Sequence, residues 1–149
     1  MRGRFRLAIA SDAAIIAILS QGGLQTAQVV SQGAKDETVK QRPHIIIRWG
    51  VRNPGVGGLD IQNITVWVHD EPADYTNIND VLRRIRNVSI PAIVGIRCDD
   101  GVLSQARWNG DSENLTDADQ RTIVRNGSYG LITTGGQAKE DHVGRGGGT

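Results

Sequence analysis

The chain has 149 residues, enough for one domain with a single core, and its formal net charge of +1 does not indicate a nucleic-acid-binding protein. Its single cysteine, Cys98, excludes an intramolecular disulfide and is consistent with a reducing compartment. A basic N-terminus precedes an apolar run, but Asp12 interrupts that run, and the uninterrupted part AAIIAIL is too short to cross a membrane. We therefore expect a soluble intracellular protein that has no membrane partner.

The first half of the sequence predicts one buried helix followed by strands. Ser11 or Asp12 can cap the start of this helix, and the Gly22-Gly23 pair can end it. A weak strand signal follows. The segment RPHIIIRWGV then predicts a strong strand, and its three consecutive isoleucines indicate burial on both faces.

A Gly-rich connection leads from this strand to a second one, DIQNITVWVHD, so the simplest arrangement is an antiparallel pair. Side chains alternate along a strand, which divides the second strand into two faces. Its aliphatic face carries Ile64, Val66 and Val68, and its other face carries Thr65, Trp67 and His69.

The clearest helix begins near Thr76, which is a good N-cap, with Asp74 as a second candidate. Its apolar stripe follows the spacing of a helix that packs on a core, and it predicts burial of Ile78, Val81, Leu82, Ile85 and Val88. Asp80 and Arg84 are spaced for an ion pair within the helix. Pro91 is expected to end the helix.

The last third predicts one or two strands after the helix, joined by a turn at Asp99-Asp100-Gly101, and then a polar segment, SENLTDADQ, that forms a loop or at most a short helix. The Asn126-Gly127 pair predicts a β-hairpin with a type I′ turn. Residues 135–149 are Gly-rich and polar, which predicts a mobile tail after a single α+β domain over residues 1–134. In this domain two helices pack on one face of a mainly antiparallel sheet.

The sequence His69-Asp70-Glu71 raises the question of a catalytic site at the corner between strand and helix. His44 could lie beside His69 on the neighbouring strand and form a two-His metal site with Asp70, as a metal-dependent hydrolase would need. Alternatively, Asp70, Glu71 and Asp74 simply precede a helix N-terminus, where the dipole favours each acid by about 0.3–1 kcal/mol. We favour this interpretation and predict no enzyme activity, no cofactor and no metal.

Arg83, Arg84 and Arg86 on the second helix could contact phosphate, and salt-dependent DNA binding would support that alternative. Acidic residues lie close by in sequence, so a solvated or subunit-pairing face is favoured. Trp67 lies opposite the aliphatic row of its strand. It therefore faces solvent, a small second core under the loops, or a neighbouring chain, where Trp and Arg are overrepresented.

The segment from Arg42 to Val88 combines four features: a Pro-led strand ending in Arg-Trp-Gly, a Gly/Pro-rich connection, a strand ending in aromatic-x-x-acid, and DYT opening a basic amphipathic helix. In this combination and order it resembles the middle of tail terminator proteins of long, non-contractile-tailed bacteriophages, particularly those of actinobacteria. The polar segment DSENLTDADQ and the Gly-rich end match no pattern of that family.

The resemblance implies a structural virion protein that is assembled in the host cytoplasm and forms a homohexameric ring at the head-proximal end of the tail tube. Such a ring ends tube polymerisation and joins the tail to the neck. Its partners would be the tail tube protein and the neck or connector proteins, and phage DNA would pass through its lumen without sequence-specific recognition. A neck completion protein is the alternative within the same class.

A ring built from identical copies uses different patches on neighbouring subunits. We predict that arginines of one copy meet acids of the strand-to-helix corner on the next, beside the exposed strand face. The predicted interface residues are Trp67, His69, Asp70, Glu71, Asp74, Arg83, Arg84 and Arg86.

Overall fold

The computed structural model describes residues 2–19, 29–31, 44–54, 59–72, 74–98, 101–119 and 121–134, and no helix within them is long and apolar enough to cross a membrane. These residues form a seven-stranded, mainly antiparallel sheet with helices, so the predicted α+β class is confirmed. The predicted tail, the turn at 99–100 and the helix end at Gly22-Gly23 lie outside the described residues. The domain boundary after residue 134 stays a prediction.

The sheet has the strand order β1-β2-β3-β7-β5-β4, with β6 beside β7. Its strands are β1 (Val29–Ser31), β2 (His44–Pro54), β3 (Asp60–Asp70), β4 (Arg97–Cys98), β5 (Gly101–Asp111), β6 (Leu115–Asp117) and β7 (Thr122–Thr134). The helical segments are α1 (Arg2–Ala10), α2 (Ala13–Leu19), α3 (Thr76–Arg84), a π-helical segment (Ile85–Ser89) and α4 (Ile90–Ile93). All described strand pairs are antiparallel except β1 with β2.

The predicted pairing of β2 with β3 is confirmed, and it places His44 opposite His69 and Trp49 opposite Ile64. The three consecutive isoleucines of β2 are all buried, as their β-branched run predicts. The aliphatic row of β3 packs under the helices in the main core, together with Phe5 and Ile15 of the N-terminal helices.

The helix predicted to begin at Ser11 or Asp12 is α2, and a further helix that the sequence did not predict, α1, precedes it. The Asp12 carboxylate accepts hydrogen bonds from the backbone N–H groups of Ala14 and Ile15, each 3.1 Å long. These N–H groups have no partner inside the first turn of a helix, so Asp12 caps α2 as predicted. Asp12 therefore lies between the end of α1 and the start of α2.

Helix α3 and the π-helical segment bury the predicted apolar stripe except Val88, which is half-buried, and the ends of the helix differ from the prediction. The N-cap position is Tyr75, not Thr76, and the backbone N–H of Thr76 donates to Asp74 Oδ1 at 2.9 Å. Pro91 does not end the helix. A π-helical turn, in which the N–H of Ile90 donates to the carbonyl of Ile85, precedes it, and α4 continues to Ile93. A widened turn of this kind tolerates a proline that cannot donate a hydrogen bond.

The hairpin predicted at Asn126-Gly127 is wrong, because both residues lie inside the continuous central strand β7. Gly127 pairs with Val66 on one side and Asp111 on the other. A Cβ at Gly127 would lie 3.0 Å from Asp111 Oδ1 and 3.2 Å from Tyr129 Oη. The glycine is therefore explained by close packing across the strand and does not mark a turn.

Replacing Gly127 with valine should lower the free energy of unfolding by about 1–3 kcal/mol, because the new side chain has to displace Asp111 or Tyr129. Gly130→Val is the matched control, since a Cβ at Gly130 meets nothing closer than 3.8 Å. Urea denaturation of both variants measures the difference. Equal stability of the two variants would contradict the close packing at Gly127.

The polar segment predicted as a loop contains a short strand, β6, so that prediction is wrong in part. Leu115 pairs with Val124 and Asp117 pairs with Thr122. The carbonyl of Leu115 also accepts a hydrogen bond of 2.9 Å from the hydroxyl of Tyr75. Pairing to a well-formed neighbour therefore overrides the weak strand propensity of a polar sequence.

Candidate subunit interface

The corner predicted as part of the interface is buried at its strand end. His69 is 3% exposed, its ring is stacked on that of His44 with centroids 4.6 Å apart, and its Nδ1 lies 2.8 Å from Thr122 Oγ1. Asp70 is 7% exposed and accepts hydrogen bonds from the backbone N–H of Glu71 and from Asn77 Nδ2. Asp70 therefore connects the end of β3 to the start of α3.

The stacking of His44 and His69 bears on the metal-site alternative. The two rings are nearly parallel, with an interplanar angle of 11°. A metal ion binds a histidine along the nitrogen lone pair, in the plane of the ring. Two stacked rings direct their lone pairs into separate planes, and no cluster of three metal-ligating side chains occurs within the described residues. The geometry therefore gives the two histidines a packing role.

The acids that follow the corner, Glu71 and Asp74, are exposed. Hydrogen bonds from the backbone and side chain of Thr76 lower the pKa of the Asp74 carboxyl below its usual range, because they stabilise its charged form. Asp74 is thus a negative charge held on the surface at the N-terminus of α3, where the helix dipole also favours it.

The three arginines have different surroundings. Arg83 is 64% exposed and lies 3.5 Å from Asp80, one turn away. Arg84 does not pair with Asp80 as predicted, because its Nε lies 3.0 and 3.1 Å from the two carboxylate oxygens of Asp12. This pair connects α3 to the cap of α2. Of the three, Arg83 is the one whose charge faces solvent most fully.

Arg86 belongs to a second surface that the sequence did not single out. Its guanidinium lies over the ring of Trp108, 4.3 Å from the centroid, and 3.9 Å from Asp111 Oδ2. Trp108 Nε1 donates to the other oxygen of Asp111 at 3.0 Å. Trp108 itself is 45% exposed, so this arrangement fixes a large aromatic side chain at the surface.

A groove of about 300 Å³ lies beside this stack, between α4 and β5. We call it the Trp108 groove, and its lining is mostly apolar: Arg86, Ile90, Pro91, Val94, Ala106, Trp108 and Tyr129. Val94 at its rim is 40% exposed. Exposed apolar side chains gathered around a concave surface are typical of a site that another molecule covers.

Tyr129 combines burial with an unpartnered polar group. It is 1% exposed, and its hydroxyl has no hydrogen-bond partner among the described residues. Burial raises the pKa of Tyr129 above its usual range, the negative charge of Asp111 adds to this, and Arg86 opposes it. A buried hydroxyl without a partner costs free energy, which a bound group could recover.

Trp67 lies on the face of the sheet opposite the main core, as the strand alternation predicts. It is half-buried, and the guanidinium of Arg48 lies 5.5 Å from its ring centroid. Its indole N–H is enclosed and has no hydrogen-bond partner within the described parts of the chain. The role of Trp67 in an interface stays a prediction.

Both long edges of the sheet lack a neighbouring strand in the part of the chain that the structure describes. Beside β2, the short β1 pairs only with residues 45–47, so no described strand lies beside β2 from Arg48 to Asn53. Beside β5, the short β4 pairs only with residues 101–102, so no described strand lies beside β5 from Ser104 to Gly110. Open edges present unpaired N–H and C=O groups that can bind another strand.

These two open edges lie at the same level of the sheet. One row of paired residues runs across all four strands, from Trp49 of β2 through Ile64 and Tyr129 to Trp108 of β5. Each of the three pairings in this row is antiparallel, so β2 and β5 run in opposite directions. The sheet therefore has two matched and oppositely directed edges.

Comparison with known proteins gives a likeness of fold. No protein-family model matches the chain, and no curated protein is similar to it in sequence. A chain in the solved structure of the virion of a native gene transfer agent (GTA) particle is similar, with a TM-score of 0.60 and 10% identity. The match covers 91% of this chain and 95% of that chain. At this identity the likeness establishes the fold alone.

Proposed function

We propose that this chain is a structural component of a phage-like virion and that it assembles into a ring. The observation that carries the proposal is the likeness to a chain of a gene transfer agent virion, which extends over nearly the whole of both chains. The sequence resemblance between Arg42 and Val88 supports the same class independently.

Within that class we propose the role of a tail terminator: a hexameric ring at the head-proximal end of the tail tube. There it would end polymerisation of the tube and bind neck or connector proteins, and DNA would pass through its lumen. The segment that resembles tail terminators comprises β2, β3 and α3 with the π-helical segment that follows it. The resemblance therefore covers two of the long strands and the main helical segment that packs on them.

The two open edges support ring formation on physical grounds. A head-to-tail interface joins different patches on neighbouring copies, and it closes into a ring when the rotation between copies divides a full turn. Such an interface needs two complementary surfaces on opposite sides of one subunit. Among the described residues, no strand pairs with the outer edge of β2 from Arg48 or of β5 from Ser104, and these two edges are candidates for such a pair.

Ring formation is tested with the purified chain by sedimentation and negative-stain electron microscopy. We expect closed rings of six copies that, when added to assembling tail tube subunits, shorten the tubes. Open filaments or monomers at every concentration would contradict the ring. Rings that leave tube length unchanged but bind a head connector would instead favour a neck completion protein.

Arg83 is the arginine best placed to test the predicted pairing of charges between copies. Arg83→Glu should weaken ring assembly, because it brings a negative charge towards Glu71 or Asp74 of the next copy, and a second change, Asp74→Arg, should restore it. Sedimentation across a salt series measures the effect, which should fade as salt rises. Reversal of Arg84 or Arg86 would be a poor test, because both arginines contact acids of their own chain.

The matched control is Asp80→Arg, which changes the charge beside Arg83 on the same helix and stays away from the strand-to-helix corner. Normal ring assembly by Arg83→Glu, in conditions where the unchanged chain assembles, would remove Arg83 from the interface.

A further inference from the structure

We propose that the Asn109-Gly110 pair on β5 is a modification site, at which the side-chain amide of Asn109 is lost by cyclisation onto the backbone and replaced by a carboxylate. The chain has two Asn-Gly pairs, Asn109-Gly110 and Asn126-Gly127. The fold places them in opposite surroundings, and only the first pair has the exposure and freedom that the reaction needs. The site does not depend on the proposed ring.

The reaction requires only the chain and water. The backbone nitrogen of Gly110 loses its proton and bonds to the side-chain carbonyl carbon of Asn109, the bond from that carbon to the amide nitrogen breaks, and this nitrogen leaves as ammonia. Water then adds to either carbonyl carbon of the resulting succinimide ring and opens it, which gives an aspartyl or an isoaspartyl residue. Glycine after asparagine favours ring closure, because it has no Cβ to obstruct the nitrogen and its backbone rotates freely.

Asn109 lies where β5 departs from regular pairing. The register between β5 and β7 shifts after Trp108 and is restored at Gly110, so Asn109 has no partner residue on β7. On the other side of β5, no described strand lies beside this position, and the side chain of Asn109 is exposed. A bulge leaves its extra residue outside the ladder, so the rotation that brings the nitrogen onto the side chain breaks few hydrogen bonds.

The backbone at Gly110 suits the same movement. Its φ is +121°, a conformation that residues with a Cβ rarely adopt. A Cβ built at this position would meet no atom within 4 Å. Conformation therefore explains this glycine, and no neighbouring group packs on the Cβ position to resist movement of the pair.

The second pair is the internal comparison, because it lies in the central strand β7, where both of its residues pair with β3. The backbone N–H of Asn126 donates to Ser112 Oγ at 3.0 Å, and its carbonyl accepts from the backbone N–H of Ser112 at 2.8 Å. Gly127 is buried against Asp111 and Tyr129. Central strands open only together with a large part of the fold, whereas edge positions open at almost no cost. The same dipeptide is therefore protected in β7 and accessible in β5.

The product alters the surface beside the Trp108 groove. A negative charge replaces a neutral amide next to Trp108. An isoaspartyl link also adds one backbone carbon between Trp108 and Asp111, whose side chains are joined by a hydrogen bond of 3.0 Å. The reaction thus gives the edge of β5 a slow change of charge and shape that any partner of the groove would meet.

Peptide mass spectrometry tests the proposal on the purified full chain. The folded protein is incubated for days in neutral buffer made with water enriched in heavy oxygen and is then digested in ordinary water, so that only products formed before digestion carry the label. Trypsin cuts after Arg107, Arg121 and Arg125 and places the two pairs on separate peptides. We expect conversion of Asn109 to be about 100-fold faster than that of Asn126, or more, and to give both aspartyl and isoaspartyl peptides.

Two controls separate the effect of the fold from the chemistry of the dipeptide. In concentrated urea both pairs are exposed, so their rates should become similar. Asn109→Gln keeps an amide at the surface and should remove the fast product while circular dichroism stays unchanged. Equal rates at Asn109 and Asn126 in the folded protein, or no conversion of Asn109 in the folded chain, would overturn the proposal.

Discussion

Leu82→Ala should lower the free energy of unfolding by about 2–5 kcal/mol, the range measured for removing a large buried aliphatic side chain. Leu82 is 2% exposed and belongs to the core formed by the helices and one face of the sheet. The substitution removes apolar contact area and leaves a cavity, because the strands below are held by their ladders and cannot close over it. Urea denaturation followed by circular dichroism measures the change.

The control for Leu82→Ala is Asn87→Ala in the π-helical segment, because Asn87 is exposed and its replacement opens no cavity. A change within about 0.5 kcal/mol is expected for this surface position. If Leu82→Ala lowered the free energy of unfolding no more than the control does, the apolar stripe of α3 would not be packed on the sheet. The core as described would then be wrong.

Asp12→Ala should destabilise the protein by about 2–3 kcal/mol, because one carboxylate serves two elements. It accepts the N–H groups that begin α2, and it holds the guanidinium of Arg84 on α3. Its side chain is 8% exposed, so water replaces little of what is lost. Thermal unfolding and urea titration of the purified variant measure the loss.

A double-mutant cycle with Arg84→Ala separates the two roles of Asp12. The coupling between the residues measures the ion pair, and the remainder of the Asp12 effect measures the cap. Asp80→Ala is the matched control, since Asp80 contacts the exposed Arg83 and should contribute less than about 0.5 kcal/mol. If Asp12→Ala lowered the free energy of unfolding no more than this control does, Asp12 would not connect α2 to α3.

The sequence predicts the centre of the fold well because local and tertiary preferences agree there. The isoleucine run of β2 and the alternation in β3 bury the side chains that their periodicity selects, and the helical stripe does so from Ile78 to Ile85. Their order along the chain then leaves few arrangements other than helices on one face of an antiparallel sheet.

The wrong predictions occur where a local signal competes with the sheet. Asn126-Gly127 is the preferred turn pair of a hairpin, but strands on both sides of β7 supply its backbone groups with partners. The polar residues of β6 become a strand for the same reason. Pro91 is tolerated because the π-helical segment before it reroutes the hydrogen bonds, which no propensity scale anticipates.

The candidate interface is harder to predict because charge and residue type do not reveal which partner a side chain has within its own chain. Arg84 and Arg86 look alike in sequence, but they contact Asp12 and Asp111, which are distant in sequence. His69 and Asp70 are polar but buried. The exposed position of Trp108 could not be predicted without the strand order, because its groove is accessible only when β5 lies near the edge of the sheet.

The measurement that tests the central claim most directly is electron cryomicroscopy of intact particles that carry a gold-labelled copy of this chain. The proposed function predicts one ring of six labelled copies at the head-proximal end of the tail, between the tube and the neck. Label distributed along the tube, or particles that contain none of this chain, would contradict it.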